Sequence, residues 1–208
     1  MDRPYPPDDV FTMNVVGGFL PSLEVVAWIR EQVIADTGSL HNPDHAHLEH
    51  ADIGVLWAGV RNARRGRVVL GTAEQVAFRG NAWQKARQEQ QMQDWFGMVP
   101  DFVITLDAGF CSEAPDVEFA ALVEHELYHC AQAINAYGVP KFSKQTGMPL
   151  FTLRAHDVEE FVGVVRRYGV GHADGAMQAL VTAAQGRPEV AKVDIARACG
   201  TCSLRAAG

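Results

Sequence analysis

The chain has 208 residues, 48% of them apolar, and 18 Lys and Arg against 25 Asp and Glu give a net charge of −7. That is enough material for one sizeable core, so one domain with ragged ends is expected. The acidic balance argues against a general nucleic-acid-binding surface, which needs clustered Lys and Arg, and no run reaches the ~18 apolar residues of a membrane span.

Met1-Asp2-Arg3-Pro4 lacks the apolar core of a signal peptide, so a cytoplasmic location is expected. Cysteines at 111, 130, 199 and 202 are too few and too scattered for a disulfide framework, in keeping with a reducing compartment. The Pro- and Asp-rich opening to about residue 10 has nothing evident to pack and reads as flexible. An amphipathic helix follows, carried by Leu23, Val25, Val26, Ile29, Val33 and Ile34, with Ser22 as N-cap and Thr37-Gly38 as the stop.

His41, His45, His47 and His50 crowd the next ten residues. Their spacing matches no justified ligand set and Pro43 marks a loop, so the segment reads as structural rather than as a second metal site. Ile53–Ala58 and Arg67–Thr72 are short apolar runs that suit a hairpin or two adjacent strands, with Arg61, Arg64, Arg65 and Arg67 clustered in the connection, which reads as a surface turn. Asn81–Phe96 reads as a polar, Gln-rich helix with a thin apolar side from Trp83, Met92, Trp95 and Phe96. Asp101–Asp107 is a third strand-like run. It suits either a free sheet edge, along which a peptide could add as a strand, or a buried central strand.

A helix is then expected from about Pro115 to Ala136, with an apolar stripe of Phe119, Val123, Leu127, Cys130 and Ile134. Away from that stripe it carries His125-Glu126-Leu127-Tyr128-His129, an H-E-x-x-H motif. Two histidines four apart lie one above the other on a helix, so their imidazoles can converge on one Zn²⁺. Glu126 beside them is placed to take a proton from a metal-activated water as general base.

Zinc in a hydrolytic site takes three protein ligands and keeps one position open. The chain is irregular through Pro140, Gly147 and Pro149, then reorganises at Leu153–Phe161 into a helix ending near Tyr168-Gly169. His156, Glu159 and Glu160 there all qualify as the third ligand. His156 is favoured because a residue at the mouth of a new helix can reach a site held by its neighbour, leaving two acids to orient the imidazoles. Glu160, one turn further on, is the main rival.

A last helix is expected over Asp174–Gln185, ended by Gly186-Arg187-Pro188. Cys199 and Cys202 form one C-x-x-C, which supplies half a structural zinc site and reads as two thiols in a C-terminal tail over 187–208.

The combination HELYHC, the preceding DFVITLDAGFC and the later HDVEEFVGVVRRYG resembles the putative phage metallopeptidase family, well over Asp101–Gly169 and loosely over Ile53–Thr72. The resemblance implies an α+β fold, a small zincin-like domain over 11–186 with a short twisted β-sheet packed on the motif helix and further helices. It also implies zinc at His125 and His129, Glu126 as the catalytic residue, and a third ligand within His156–Glu160. It supplies no substrate beyond a protein or peptide. The metzincin pattern fails, because the third His that it needs falls here on Asn135. SprT-like DNA-associated proteases are similar in placing a His ahead of a Phe in a later helix, but their His follows sooner and they commonly carry basic DNA-binding extensions, against which the acidic balance speaks.

Three readings compete: a zinc-dependent metallopeptidase, a regulatory or binding module with a closed structural zinc, and a hydrolase of non-peptide amides. Glu126 favours a hydrolytic site over the closed zinc, because a structural site has no use for a carboxylate between its histidines.

Overall fold

A computed structural model describes residues 2–12, 18–64, 67–158, 165, 169–170 and 174–191. They form an α+β fold that divides into two compact units, the described residues up to Arg154 in one and those from Ala155 onward in the other. No helix among the described residues is long and apolar enough to cross a membrane.

In the first unit, the short helix α1 (Asp9–Thr12) and strand β1 (Phe19–Pro21) precede α2 (Leu23–Trp28), whose N-cap Ser22 accepts a hydrogen bond from Val25 N at 3.2 Å. The helix widens into a π-helical stretch, Ile29–Ile34, and ends there, a little before the expected stop. Gly38 is nevertheless required: a Cβ at that position would meet Gln32 O at 2.3 Å. A 3₁₀ stretch, Pro43–His50, leads to β2 (Ile53–Ala58).

The hairpin β3 (Asn62–Arg64) and β4 (Arg67–Val69) is followed by β5 (Gly71–Gln75), helix α3 (Ala82–Phe96) and β6 (Phe102–Asp107). α3 has the extent its composition predicts. Asn81 and Gln84 form a capping box, and Gly97 closes the helix in the left-handed region at φ 71°.

The main sheet has the order β1-β2-β6-β5, with β2 and β6 parallel and the other pairs antiparallel. One expectation changes here, and one open alternative is decided. The runs 53–58 and 67–72 are not neighbours, because β6 lies between β2 and β5, and the second run breaks at Leu70 into β4 and β5. β6 is an inner strand, not a free edge; the edge on its side is β5. Every residue of β2 and four of the six in β6 are buried, as strands covered on both faces require.

α4 (Ala108–Glu113) and the motif helix α5 (Asp116–His129) follow β6. Phe119, Val123 and Leu127 of α5 join Trp57, Phe102, Ile104 and Leu106 of the sheet in the core, with the Trp57 and Phe119 rings 6.2 Å apart. Each fully buried Leu, Ile or Phe of this kind contributes roughly 1.5–3 kcal/mol.

The opening residues pack where the sequence reading expects flexibility. Arg3, 5% exposed, donates to Asp116 Oδ1 (3.0 Å), Cys111 O (2.8 Å) and Ala114 O (2.6 Å), and its guanidinium lies 3.9 Å over the Tyr5 ring. A single arginine satisfies the carbonyls of the α4–α5 corner, a role with no local signature.

α5 also ends seven residues earlier than predicted. Cys130 turns to extended backbone at φ −83°, ψ 91°, and β7 (Cys130–Gln132) pairs antiparallel with β8 (Phe151–Leu153). Cys130 stays buried, but Ile134, expected on the core stripe, is 60% exposed.

The second unit contains α6 (Ala176–Gln185), capped by Gly175 and Gly186 and matching the expected last helix. The helix expected around 158–168 and the Cys199/Cys202 pair lie outside the described residues, apart from single positions.

Candidate metal centre

The motif helix is anchored before it reaches its histidines. Asp107 caps α4, accepting from Phe110 N at 2.7 Å, and α5 then starts directly after Pro115 with Asp116 and Glu118 in its first turn, where acids favour the helix dipole. Phe119, Val123 and Leu127 pin one face into the core. One turn of helix separates His125 and His129, whose rings stand 5.1 Å apart at 75°. A ring nitrogen of each lies within 4.8 Å of one on the other.

His129 is 2% exposed and its orientation is fixed from both sides. Its Nδ1 donates to Arg154 O at 2.7 Å, while Arg154 N donates to His129 O at 2.9 Å. A carbonyl can only accept, so the proton sits on Nδ1 and the lone pair on Nε2, the tautomer that a metal ligand needs. The early end of α5 makes this possible, because it lets β7 pair with β8 and brings Arg154 beside His129.

Glu126 is fully buried between the two histidines in sequence. The edge strand passes close beside it: a Cβ at Gly71 would stand 2.7 Å from Glu126 Oε1 and 3.0 Å from its Cγ. Only a glycine leaves the carboxylate its present position. Cys130 follows His129, but burial and then the Glu126 charge push its thiol well above the usual range, and Sγ points to Glu126 O at 3.5 Å. A thiol held neutral is a packing group and not a metal-binding thiolate.

The His-rich segment braces the other side of α5. Asn42 Nδ2 donates to Glu124 Oε1 (2.6 Å) and Tyr128 OH (3.0 Å), and Tyr128 OH donates to Asp44 Oδ2 (3.0 Å). His45 packs edge-on to Tyr128 with centroids 4.6 Å apart, and His47 Nε2 lies 2.7 Å from Cys130 O. His45 is 1% exposed, and burial, with a smaller contribution from His47, pushes its pKa down to about 4 against the pull of Asp44. These residues form a clasp.

Among the described residues, His125, His129 and His156 are a group that could hold a metal ion, and the four histidines of the 41–50 segment are not in it. His156 follows two residues after Arg154 in the sequence. An all-imidazole donor set suits zinc and similar borderline metals. The alternative ligands Glu159 and Glu160 lie outside the described residues.

Sequence reasoning missed two contributors to this centre, Gly71 and the Arg154 carbonyl. Gly71 had a readable signal, since a lone glycine inside a strand-like run often marks a close backbone approach. A carbonyl has none.

A family model described as Putative phage metallopeptidase matches residues 26–185. No curated protein and no solved structure gives a match.

Proposed function

The chain belongs to the Putative phage metallopeptidase family, and from that premise we propose that it is a zinc-dependent peptidase that uses Glu126 as general base, with His125, His129 and His156 holding the metal. When bound, zinc would polarise the scissile carbonyl and make the attacking water more acidic. The chain's own residues supply the rest. Glu126 takes a proton from that water and returns it to the amide nitrogen as the C–N bond breaks, which regenerates the carboxylate.

The observation that carries this reading is the placing of a fully buried carboxylate between two histidines that meet on one helix. A structural metal needs ligands of fixed orientation but no base beside them, whereas hydrolysis needs both. Burial of Glu126 keeps solvent from competing for its proton, and the Gly71 contact limits where its oxygens can sit. Arg154 O holds the His129 ring, so His129 need not be reordered on metal binding.

The test is hydrolysis of casein by the full chain loaded with zinc, run beside a set of small non-peptide amides. Cleavage of casein that stops with chelator and in Glu126→Gln supports the reading. Turnover of the small amides with casein untouched would replace it with an amidase.

A further inference from the structure

The segment between His129 and Arg154 is an arm built to expose apolar side chains. Ile134, Tyr137, Val139, Phe142, Met148 and Leu150 are all more than two-fifths exposed, and Tyr137 reaches 90%. The arm is a self-bonded ribbon: Ala133 N donates to Leu150 O (2.7 Å), Lys141 N to Ala133 O (2.8 Å), Leu150 N to Lys141 O (3.0 Å) and Ser143 N to Met148 O (2.8 Å).

Its two turns are closed locally. Asn135 Oδ1 accepts from Tyr137 N and Val139 N, and Ser143 Oγ accepts from Gln145 N and Thr146 N. Gly138 and Gly147 take the left-handed conformations that such turns need, at φ 77° and 71°. A backbone held this way has already met the ordering cost of binding, and six large apolar side chains exposed within seventeen residues mark an interaction surface.

Charge narrows the partner. No Asp or Glu occurs between Glu126 and Asp157, in a chain with 25 acids and a net charge of −7. Lys141 and Lys144 on the arm are both exposed. The ribbon is therefore apolar and cationic on an otherwise acidic protein, complementary to an anionic, apolar ligand. Its two ends are the C-terminus of the motif helix and the residue that orients His129, so whatever binds the arm is delivered beside the candidate centre.

We propose that the arm Cys130–Leu153 is the substrate grip of this enzyme, and that it takes an extended polypeptide segment carrying large apolar side chains flanked by Asp or Glu. This rests on the peptidase reading, whose substrate class it names. Tyr137 and Phe142 receive the apolar side chains, and Lys141 and Lys144 select the acidic flanks.

The experiment is fluorescence anisotropy on the full-length Glu126→Gln chain, which binds without cutting. The probes are two labelled peptides with one Leu- and Phe-rich core, one flanked by glutamates and the other by lysines. The glutamate-flanked peptide should bind at least about tenfold more tightly, with a preference that shrinks as salt rises.

Lys141→Glu with Lys144→Glu should invert the preference, and Tyr137→Ser with Phe142→Ser should weaken both peptides about equally, with thermal unfolding unchanged in each variant. Equal binding of the two peptides, or a preference that survives charge reversal, overturns the proposal. So does binding of phosphatidylserine vesicles without peptide binding, or self-association relieved by Phe142→Ser without peptide binding. If the expected preferences appear but the zinc-loaded wild-type chain cuts neither peptide, the peptidase reading fails and the grip stands as a peptide-binding surface alone.

Discussion

Gly71 and Glu126 meet with no room for a side chain between them: a Cβ on the glycine would come within 2.7 Å of the carboxylate oxygen. The edge strand β5 thus sets the position of the Glu126 carboxylate on α5, although 55 residues of sequence separate the two. Gly71→Ala must push the Glu126 side chain aside, since the contact reaches its Cγ as well as its end. The expected result is a loss of about 10–100-fold in turnover with metal content unchanged, the usual cost of an ångström-scale displacement. Combined with Glu126→Gln, it should add little further, because both changes act on one group. Steady-state kinetics on the four proteins of this cycle check it.

Glu126→Gln alone removes the proposed base and keeps the shape. It should cut peptide hydrolysis by roughly 10²–10⁴, the range for a positioned general base, while zinc and fold are retained. Loss of zinc in this variant would mean that Glu126 supports the metal instead of the proton transfer.

The part of this centre that was legible in the sequence is the part set by local geometry. The spacing of His125 and His129 is a property of one helix, and the capping signals at Ser22 and Asn81 act within three residues, so each could be read without knowing the fold. The end of α5 at His129 could not. No Gly or Pro follows until Gly138, and the helix stops because Cys130–Gln132 pairs with Phe151–Leu153, a partner twenty residues away. Long-range pairing with β2 and β5 likewise places β6 inside the main sheet, where its composition fitted edge and centre alike. Arg3 packs on residues more than a hundred positions along the chain, and nothing near it in sequence announces that.

The third ligand is separable from its rivals by chelator titration. His156→Ala leaves two imidazoles and should lose zinc to mild chelation, while the apolar core keeps the apo fold. Glu160→Ala, if that residue acts only through a ligand, should weaken zinc by about 10–100-fold. The opposite order would make the site one of two histidines and a glutamate.

His45 makes stability depend on acid. Its folded pKa, about 4, lies below the ordinary 6.5, so above pH 6.5 it is neutral whether folded or not and contributes no pH dependence. As pH falls from 6.5 towards 4, the unfolded chain takes up a proton that the folded chain refuses, and stability declines, by roughly 3 kcal/mol at most. Urea unfolding across this range should show the decline in the wild type and a smaller one in His45→Gln. Parallel pH profiles for the two proteins would show that the buried imidazole carries no such linkage.

The central claim is that His125 and His129 hold a catalytic metal, and metal content tests it without knowledge of the substrate. Mass-spectrometric metal analysis of the full chain, purified without chelators, should find about one zinc per chain in the wild type and in Glu126→Gln. His125→Ala and His129→Ala should each reduce that to a small fraction. No bound metal in the wild type, or the same metal content in both histidine variants, would contradict the account.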